Sequence, residues 1–375
     1  MRPTQAIIDL DAISYNIRGV KEKVGPSVEV MAVVKANGYG HGALEVARTA
    51  LEAGASWLGV ALPEEGAELR IAGIKAPILV LGPTPPTQAA LVSNHDLSQA
   101  ITSWDQAEAL SREARLSGKR IGVHLKLDTG MGRIGIPPDQ VLNLATKVAK
   151  APGLILEGAM THFADADSKD KDWARAQLQR FLKGVDDLSS EGIQIIYRHA
   201  ANSAAILDLP ESYLDMVRPG IMLYGYYPSQ EVSRSIHLRP ALALRTEVAF
   251  LKEVPPGTSI SYGRTFITPR RTRVATLPIG YADGYSRLLS NSGMAIIRGQ
   301  RVPVIGRVCM DMVMVDITEV SEARPGDEAI LYGRQGGEEI SVEEVAEKLG
   351  TISYEVVCSI SQRVPRVYVR GAKSP

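Results

Sequence analysis

Short apolar runs alternate with longer amphipathic stretches over the first two thirds of this 375-residue chain. Apolar runs of roughly four to eight residues predict buried strands, and apolar residues that recur at three- and four-residue steps predict helices. The predicted strands are 28–34, 57–62, 77–81, 97–102, 122–127, 157–162, 195–199 and 216–223. The predicted helices between them include 43–52, 64–71, 104–116, 139–149 and 172–188.

This alternation of strands and helices predicts parallel strands joined by crossover helices. Eight such units fit an α/β fold built as a (β/α)8 TIM barrel, which commonly takes about 250 residues. An open, doubly wound sheet is the alternative, and the position of the polar residues favours the barrel. Gly54, Gly73, Gly118 and Gly192 each follow a predicted helix, where a left-handed residue commonly closes the last turn.

The rhythm changes from about Leu238 onward, where short predicted strands are separated by turn residues. These strands are 241–250, 273–278, 294–297, 302–308, 312–317 and 328–332. One helix is predicted at 341–349, with Ser341 as its cap and Glu344 three residues later. We therefore predict a barrel over residues 1–235, whose first strand is a candidate for pairing with the second domain, and a mostly β domain over residues 236–375.

Composition narrows the classes of function. Forty-two basic and 42 acidic residues give a formal net charge of zero, which argues against a nucleic-acid-binding protein and offers no polybasic attraction to a membrane. The only cysteines in the sequence are Cys309 and Cys358, too few for a disulfide framework. No signal-peptide pattern and no apolar stretch of about 20 residues is present. We expect a cytoplasmic protein that acts on a small molecule.

Polar and glycine-rich segments follow several of the predicted barrel strands. Each contains a lysine, histidine or arginine, and in a barrel all of them would meet at the carboxyl ends of the strands, where such enzymes place their active sites. The residues concerned are Lys35, Lys126 with Asp128 and Arg133, His162, His199 and Arg218. Ser203, Gly220 and Ile221 follow the last two strands, where a phosphate group commonly binds. Ordinary turn chemistry and a helix cap at Ser203 are the alternative interpretation.

The run VVKANGYGHG at 33–42 resembles the cofactor-attachment motif of the alanine racemases. Short forms of this motif also occur in decarboxylases and in small cofactor-binding barrels, but here the resemblance extends over nearly the whole chain. It includes 130–135 (GMGRIG), His162, 199–203 (HAANS), 218–221 (RPGI), 260–266 (ISYGRTF), 280–284 (GYADG), 306–311 (GRVCMD), 354–355 (YE) and 363–366 (RVPR).

The resemblance implies a barrel with a C-terminal β domain, working as a homodimer with pyridoxal 5′-phosphate as cofactor. It implies interconversion of L-alanine and D-alanine, which supplies D-alanine for bacterial peptidoglycan. Each active site would be shared: Lys35 would come from one subunit, and Tyr262 and Met310 from the other.

The chemistry explains why two bases are needed. The cofactor stabilises the carbanion that forms when the α-proton leaves, and Lys35 would bind the cofactor covalently. Racemisation also requires a proton to be removed from one face and delivered to the opposite face, and the resemblance assigns these roles to Lys35 and Tyr262. Arg218 would contact the pyridine nitrogen, with His162 in support. Because arginine does not readily give up its proton, we hypothesise that Arg218 limits transamination.

The family pattern assigns further roles. The phosphate would be bound by Tyr39, Ser203, Gly220, Ile221 and Tyr354. The substrate carboxylate would be bound by Arg133 and the backbone N–H of Met310, with Tyr281 narrowing the entrance. Lys126 lies where some relatives carry a carbamylated lysine, and an unmodified lysine is the alternative. Asp311 is either a supporting or a turn residue, Cys309 is expected to be buried, and no metal ligand is among these residues.

Three alternatives differ in what they require of the sequence. A decarboxylase of similar fold would keep the barrel and Lys35 but would lack the segments around Tyr262 and Met310. A non-enzymatic cofactor carrier would lack the second domain. A racemase of broader specificity is the nearest alternative, and the choice between alanine and serine depends on pocket width, which sequence spacing does not measure.

Overall fold

Eight parallel strands form a nearly closed barrel in the computed structural model, which describes residues 2–371. The chain begins with β1 (Gln5–Asp9) and α1 (Leu10–Val24). The barrel strands follow as β2 (Glu29–Val33), β3 (Trp57–Val60), β4 (Ile78–Val80), β5 (Ser98–Ile101), β6 (Ile121–Lys126), β7 (Leu154–Met160), β8 (Tyr197–His199) and β9 (Met216–Val217). Their order in the sheet is β8-β7-β6-β5-β4-β3-β2-β9.

Backbone hydrogen bonds link the two ends of this strand order. The N–H of Asp215 donates to the carbonyl oxygen of Arg198 at 3.1 Å, and the N–H of Arg218 donates to that of Ala201 at 3.0 Å. These contacts join the β8 and β9 segments, so the sheet closes on itself. The predicted barrel is therefore confirmed, and the open doubly wound sheet is excluded.

The helices of the barrel lie between the strands in the chain. They are α2 (Ala43–Glu52), α3 (Pro63–Ile71), α4 (Ala89–Asn94), α5 (Trp104–Ser117), α6 (Val141–Ala149), α7 (Asp172–Ser190) and α8 (Ser203–Asp208). The longer helices among them are amphipathic and bury small and aliphatic residues, whereas α8 is buried at five of its six positions. The sequence missed α1, α4 and α8, because α1 lies outside the regular alternation and the other two are short.

A helix-ending glycine shows how the sequence sets these boundaries. Ser103 accepts a hydrogen bond from the N–H of Gln106 at the start of α5, and Gly118 ends the helix with a positive φ of 66°. A side chain in that conformation would cost about 1 kcal/mol or more, which is why glycine is favoured there.

Within the described part of the chain, the C-terminal unit comprises residues 2–11, 39–42 and 240–371. Its strands after the barrel are β10 (Leu242–Glu247), β11 (Phe250–Val254), β12 (Ser259–Ile260), β13 (Phe266–Ile267), β14 (Thr272–Leu277), β15 (Met294–Ile297), β16 (Gln300–Pro303), β17 (Val313–Asp316), β18 (Glu328–Gln335), β19 (Glu338–Ile340) and β20 (Arg366–Val369). Its helices are α9 (Val342–Leu349) and α10 (Ser353–Cys358).

Antiparallel pairing dominates this unit. One sheet has the order β16-β15-β18-β10-β1-β20, with β19 paired to β18, and a second has the order β11-β14-β17. β1 belongs here because both of its edges are paired, antiparallel to β10 and parallel to β20. The first strand thus joins the β domain, as the sequence allowed, and the boundary drawn at residue 235 is corrected for residues 1–11 and 39–42.

Several predicted strands are longer than the observed ones; the predicted strand 302–308, for example, extends beyond β16, which ends at Pro303. The segment 241–250 is interrupted, because β10 ends at Glu247 and β11 begins at Phe250. The segment 216–223 contains the two-residue strand β9 followed by a short 3-10 helix at Ile221–Tyr224, because the chain turns at Pro219 and Gly220. None of the helices within residues 2–371 is both long and apolar enough to cross a membrane.

Candidate active site

Basic side chains converge at the carboxyl ends of the barrel strands. Lys35 lies two residues after β2, Lys126 ends β6, and Arg218 directly follows β9. His162, two residues after β7, has a pKa well below its usual value because desolvation disfavours the imidazolium. Four nearby cations lower this pKa further: Arg218, Lys126, Arg133 and Lys35. The predicted barrel residues are therefore neighbours, and His162 is neutral at pH 7.

Arg218 is held by acceptors on two strand ends. Its Nη1 donates to Nδ1 of His199 at 2.9 Å and to the His199 carbonyl at 2.8 Å. Its Nη2 donates to the carbonyls of Thr161 at 2.6 Å and Ala200 at 3.0 Å. Burial lowers the pKa of Arg218 to about 9, so the guanidinium remains charged at neutral pH. These bonds fix both the position and the plane of the charge.

Lys126 is strongly affected by this charge. The side chain is buried, and desolvation, followed by repulsion from Arg218 and Arg133, lowers the pKa of Lys126 to about 7. An amine with this pKa is neutral in a large part of the molecules at neutral pH, which makes it a nucleophile.

The loop that carries Arg133 is organised by Asp128. One carboxylate oxygen of Asp128 accepts hydrogen bonds from the N–H groups of Gly130 at 3.0 Å, Met131 at 2.9 Å and Gly132 at 3.1 Å. Such a turn suits residues that adopt positive φ, and Gly130 and Gly132 both do so. The exposed Arg133 follows directly after this turn.

A left-handed turn follows Lys35. Ala36, Asn37 and Gly38 have φ values of 52°, 51° and 61°, a conformation that costs about 1–2 kcal/mol for each residue with a side chain. The carboxylate of Glu65 stabilises the turn, because its Oε1 accepts a hydrogen bond from the N–H of Ala36 at 2.6 Å. Sequence reasoning missed Glu65, which appears in the sequence only as an ordinary first-turn residue of α3.

Backbone N–H groups gather around Ser203. The Ser203 hydroxyl accepts hydrogen bonds from the N–H of Gly220 at 2.9 Å and of Met222 at 3.5 Å. Ser203 also begins α8, and Ile221 begins the 3-10 helix, so the starts of two helical turns lie here. A hydroxyl and N–H groups are suitable donors for a phosphate, and Lys35 and Arg218 add positive charge at the same barrel face. This donor set suits a cofactor that carries a phosphate group.

The C-terminal unit brings Tyr39 and Tyr354 together. Their ring centroids are 6.1 Å apart. Burial, followed by the influence of Tyr354 and Cys358, raises the pKa of Tyr39 well above its usual value, so its hydroxyl keeps its proton and remains a donor. The predicted pair of phosphate-binding tyrosines is thus close in space, while their role stays a prediction.

Tyr262, Met310 and Tyr281 lie on neighbouring loops of the same unit. The N–H of Tyr281 donates to the Cys309 carbonyl at 3.1 Å, and Ser261 Oγ donates to the Arg307 carbonyl at 2.6 Å. The side chains of Tyr262, Met310 and Tyr281 are 71%, 51% and 42% exposed.

Two neighbouring residues refine the sequence analysis. Cys309 is only partly buried, contrary to expectation, because it lies in the loop that supports Tyr281. Asp311 is paired with Arg363 at 2.8 Å, so it stabilises the loop that carries Met310.

Comparison with known proteins assigns the family. Residues 8–228 match the family model described as "Alanine racemase, N-terminal domain", and residues 241–368 match "Alanine racemase, C-terminal domain". The chain belongs to the alanine racemase family. The resemblance inferred from the sequence, the fold class and the enzyme class, a racemase, are therefore confirmed.

Full-length relatives give the same result. The alanine racemase of Halothermothrix orenii is 49% identical over 98% of this chain and 97% of its own length. The alanine racemase of Desulforamulus reducens is 50% identical over 98% of this chain and 99% of its own length. A solved alanine racemase from Clostridium difficile has a TM-score of 0.94 at 39% identity, covering 99% of this chain and 97% of its own. The structure of alanine racemase from Bacillus anthracis with bound L-Ala-P has a TM-score of 0.93 at 41% identity. The match covers 100% of this chain and 96% of that protein.

The buried imidazoles of His124 and His199 predict how racemase stability depends on pH. Burial lowers both pKa values in the folded state, so the unfolded chain binds more protons below about pH 6.5. Stability is therefore complete above this pH and decreases as the pH falls. Between pH 7 and pH 5 we expect the free energy of unfolding to decrease, because protons bind the imidazoles of the unfolded chain more readily than the buried ones.

Denaturant titrations at the two pH values measure this loss. His237→Gln, which removes an exposed histidine, serves as the matched control and should leave the difference unchanged. Equal unfolding free energies of the wild type at pH 5 and pH 7 would contradict the argument.

Proposed function

We propose that this chain interconverts L-alanine and D-alanine with bound pyridoxal 5′-phosphate, using Lys35 and Tyr262 as bases on opposite faces of the substrate. The observation that carries the proposal is the cluster at the barrel mouth, where Lys35 and the buried, charged Arg218 both lie close enough to His162 to lower its pKa. The first part of the proposal also accords with the full-length relatives described above, which are alanine racemases.

The cofactor, when bound, withdraws electrons from the α-carbon of an attached amino acid and makes its α-proton acidic. Lys35 would hold it covalently, and Arg218 would lie at its ring nitrogen. Ser203, Gly220 and Ile221 would bind the phosphate, with the hydroxyls of Tyr39 and Tyr354 completing its donors. His162 is neutral beside these cations, so it adds no charge and can accept a hydrogen bond from Arg218 Nη2, 3.5 Å from its Nδ1.

Substrate recognition would use the exposed Arg133. A guanidinium binds a carboxylate through two parallel hydrogen bonds, and the turn around Asp128 holds the backbone next to Arg133. The Met310 N–H would supply a further donor, and Tyr281 would narrow the entrance. Lys126, with its pKa of about 7, can react with carbon dioxide, and a carbamate there would place a negative charge between Arg133 and Arg218.

A homodimer would bring the second base to the lysine. Tyr262 and Met310 are largely exposed apolar side chains on the C-terminal unit, as are Met312 and Leu288. Exposed apolar side chains that form one patch are typical of surfaces that bind another protein. The partner subunit would cover them, so that each site contains Lys35 of one subunit and Tyr262 of the other.

The biological role would be the supply of D-alanine for cell-wall peptidoglycan, in the cytoplasm. The two cysteines are free thiols, as is usual for proteins of a reducing compartment. The preference for alanine over serine rests on pocket width, and one additional hydroxyl in an apolar pocket changes selectivity by only about 100-fold.

Racemisation tests the proposed activity directly. Wild-type protein supplied with pyridoxal 5′-phosphate and L-alanine in deuterated water should form D-alanine that carries deuterium at the α-carbon. Lys35→Ala should lose at least about 1,000-fold in kcat, because both the covalent attachment and one base disappear.

The exposed Lys75→Ala is the matched control and should retain wild-type turnover. Absence of D-alanine from the wild type would refute the proposed function, and the same assay with L-serine measures how strict the enzyme is.

Subunit mixing tests the shared site. Lys35→Ala and Tyr262→Phe proteins are each inactive in this proposal, but a mixed dimer contains one site with both bases. Random exchange gives half mixed dimers with one intact site of two, so activity should recover to about a quarter of the wild-type value.

A mixture of Lys35→Ala with Lys35→Gln protein is the control, because every mixed site lacks the lysine. Mixed dimers detected by mass spectrometry but without activity would show that the site is not shared.

A further inference from the structure

A line of polar side chains extends from Arg218 into the barrel interior. Arg218 Nη1 lies 2.9 Å from Nδ1 of His199, and His199 Nε2 lies 2.8 Å from Nδ1 of His124. His124 Nε2 lies 3.6 Å from a carboxylate oxygen of Glu157, which also accepts a hydrogen bond from the Ser98 hydroxyl at 3.0 Å. The two buried imidazoles therefore lie between a positive charge, on Arg218, and a negative charge, on Glu157.

The chemistry of arginine fixes the direction of these hydrogen bonds. A guanidinium only donates, so Nδ1 of His199 must accept and its proton must be on Nε2. That proton is donated to Nδ1 of His124, which in turn must carry its own proton on Nε2, facing Glu157. A proton on either Nδ1 would place two N–H groups against each other, so both rings are neutral Nε2–H tautomers.

The barrel interior provides space for this arrangement through two glycines. A Cβ at Gly158 would lie 2.2 Å from His124 Nδ1, the atom that bonds to His199. A Cβ at Gly122 would lie 2.1 Å from the Glu157 carboxylate. A side chain at either position would displace the imidazole or the carboxylate, so the two glycines leave the volume that these groups occupy.

A local irregularity of β7 brings Glu157 into place. Val123 pairs with Leu156 and His124 pairs with Gly158, so Glu157 is an additional residue opposite this step of β6. A bulge of this kind redirects a side chain that would otherwise follow the alternation of the strand. The Glu157 side chain is 23% exposed, whereas His124 is fully buried. The Glu157 carboxylate thus lies between the buried imidazoles of His124 and His199 and a more exposed part of the barrel.

Because His124 is buried, the nearby Glu157 carboxylate has a strong electrostatic effect on its ring. Within the described residues His124 Nε2 has no hydrogen-bond partner, and its nearest anion is Glu157 at 3.6 Å. At this distance the interaction is electrostatic rather than a full hydrogen bond. The negative charge of Glu157 stabilises the His124 ring with its N–H directed toward the carboxylate. Because the two rings are aligned in the same direction, their dipoles also stabilise the positive charge of Arg218.

We propose that Glu157 is a positioning residue for Arg218, acting through His124 and His199, which are locked as Nε2–H tautomers. This goes beyond the proposed reaction, although the expected effect on turnover rests on the role that it gives to Arg218. The carboxylate fixes the orientation of the two imidazole rings, and His199 in turn fixes one edge of the Arg218 guanidinium. Arg218 is thereby kept in a single orientation beside the reacting groups.

The tautomers are measured by ¹⁵N NMR on the holoenzyme labelled at histidine nitrogens, at about pH 7.5. We expect two buried imidazoles that carry a proton on Nε2 only. An imidazolium, or an Nδ1–H tautomer at His124 or His199, would overturn the proposal. This result needs no turnover, so it is independent of whether the protein racemises alanine.

Glu157→Gln tests the carboxylate itself, because the amide keeps the shape and an acceptor oxygen but removes the charge. Glu29→Gln is the matched control: Glu29 also lies on a barrel strand, is partly buried and accepts a hydrogen bond from a serine, Ser56. We expect Glu157→Gln to shift the ring N–H resonances of His124 and His199 upfield and to lower kcat about 3- to 10-fold with little change in KM. We expect Glu29→Gln to do neither.

Ring resonances and kcat that are equal in the two variants would overturn the proposal, and so would a loss that appears only in thermal stability. If the wild type forms no D-alanine while the resonances shift as expected, the proposed function fails and the positioning role of Glu157 stands.

Discussion

A guanidinium buried inside a barrel must receive hydrogen-bond acceptors from the strands around it, because an unpaired charge in such surroundings costs several kcal/mol. The barrel meets this need at Arg218 with the carbonyls of Thr161, His199 and Ala200. Thr161 and Ala200 lie just beyond the ends of β7 and β8, and the His199 carbonyl also accepts a backbone hydrogen bond from the N–H of Thr161. The acceptors for Arg218 therefore come from the ends of two neighbouring strands.

The buried positive charge also affects the protonation of its neighbours. It contributes to the low pKa values of Lys126, His162 and His199, in each case after desolvation. A site of this kind contains neutral bases beside a fixed cation, which suits the binding of an anionic cofactor and substrate. The same charge orders the line of imidazoles that ends at Glu157, so one residue links the chemistry at the barrel mouth to packing in its interior.

Much of the barrel could be predicted because the strands are short apolar runs with polar ends. Lys35, Lys126, His162 and Arg218 lie at or near the carboxyl ends of the observed strands, and parallel strands bring them to one face. The left-handed turn after Lys35 could not be predicted, since it depends on Glu65 from another part of the chain. The position of Glu157 could not be predicted either, because a bulge in a strand such as β7 leaves no periodic pattern in the sequence.

The C-terminal domain was predicted less completely. Its strands pair with partners that are distant in the chain, as β1 does with β10 and β20, and no local pattern specifies such pairings. The roles of Tyr262 and Met310 rest on the family resemblance and on a proposed dimer, whereas Lys35 also has the support of its position.

The central claim is that the buried charge of Arg218 adds to desolvation in lowering the pKa values of its basic neighbours, and the titration of Lys126 tests it most directly. NMR of ¹³C-labelled lysine side chains should show Lys126 titrating at a pKa of about 7 in the wild type. In Arg218→Gln the repulsion is lost while burial remains, so this pKa should rise toward the usual lysine range. A Lys126 that titrates at the same pH in both proteins would contradict the account.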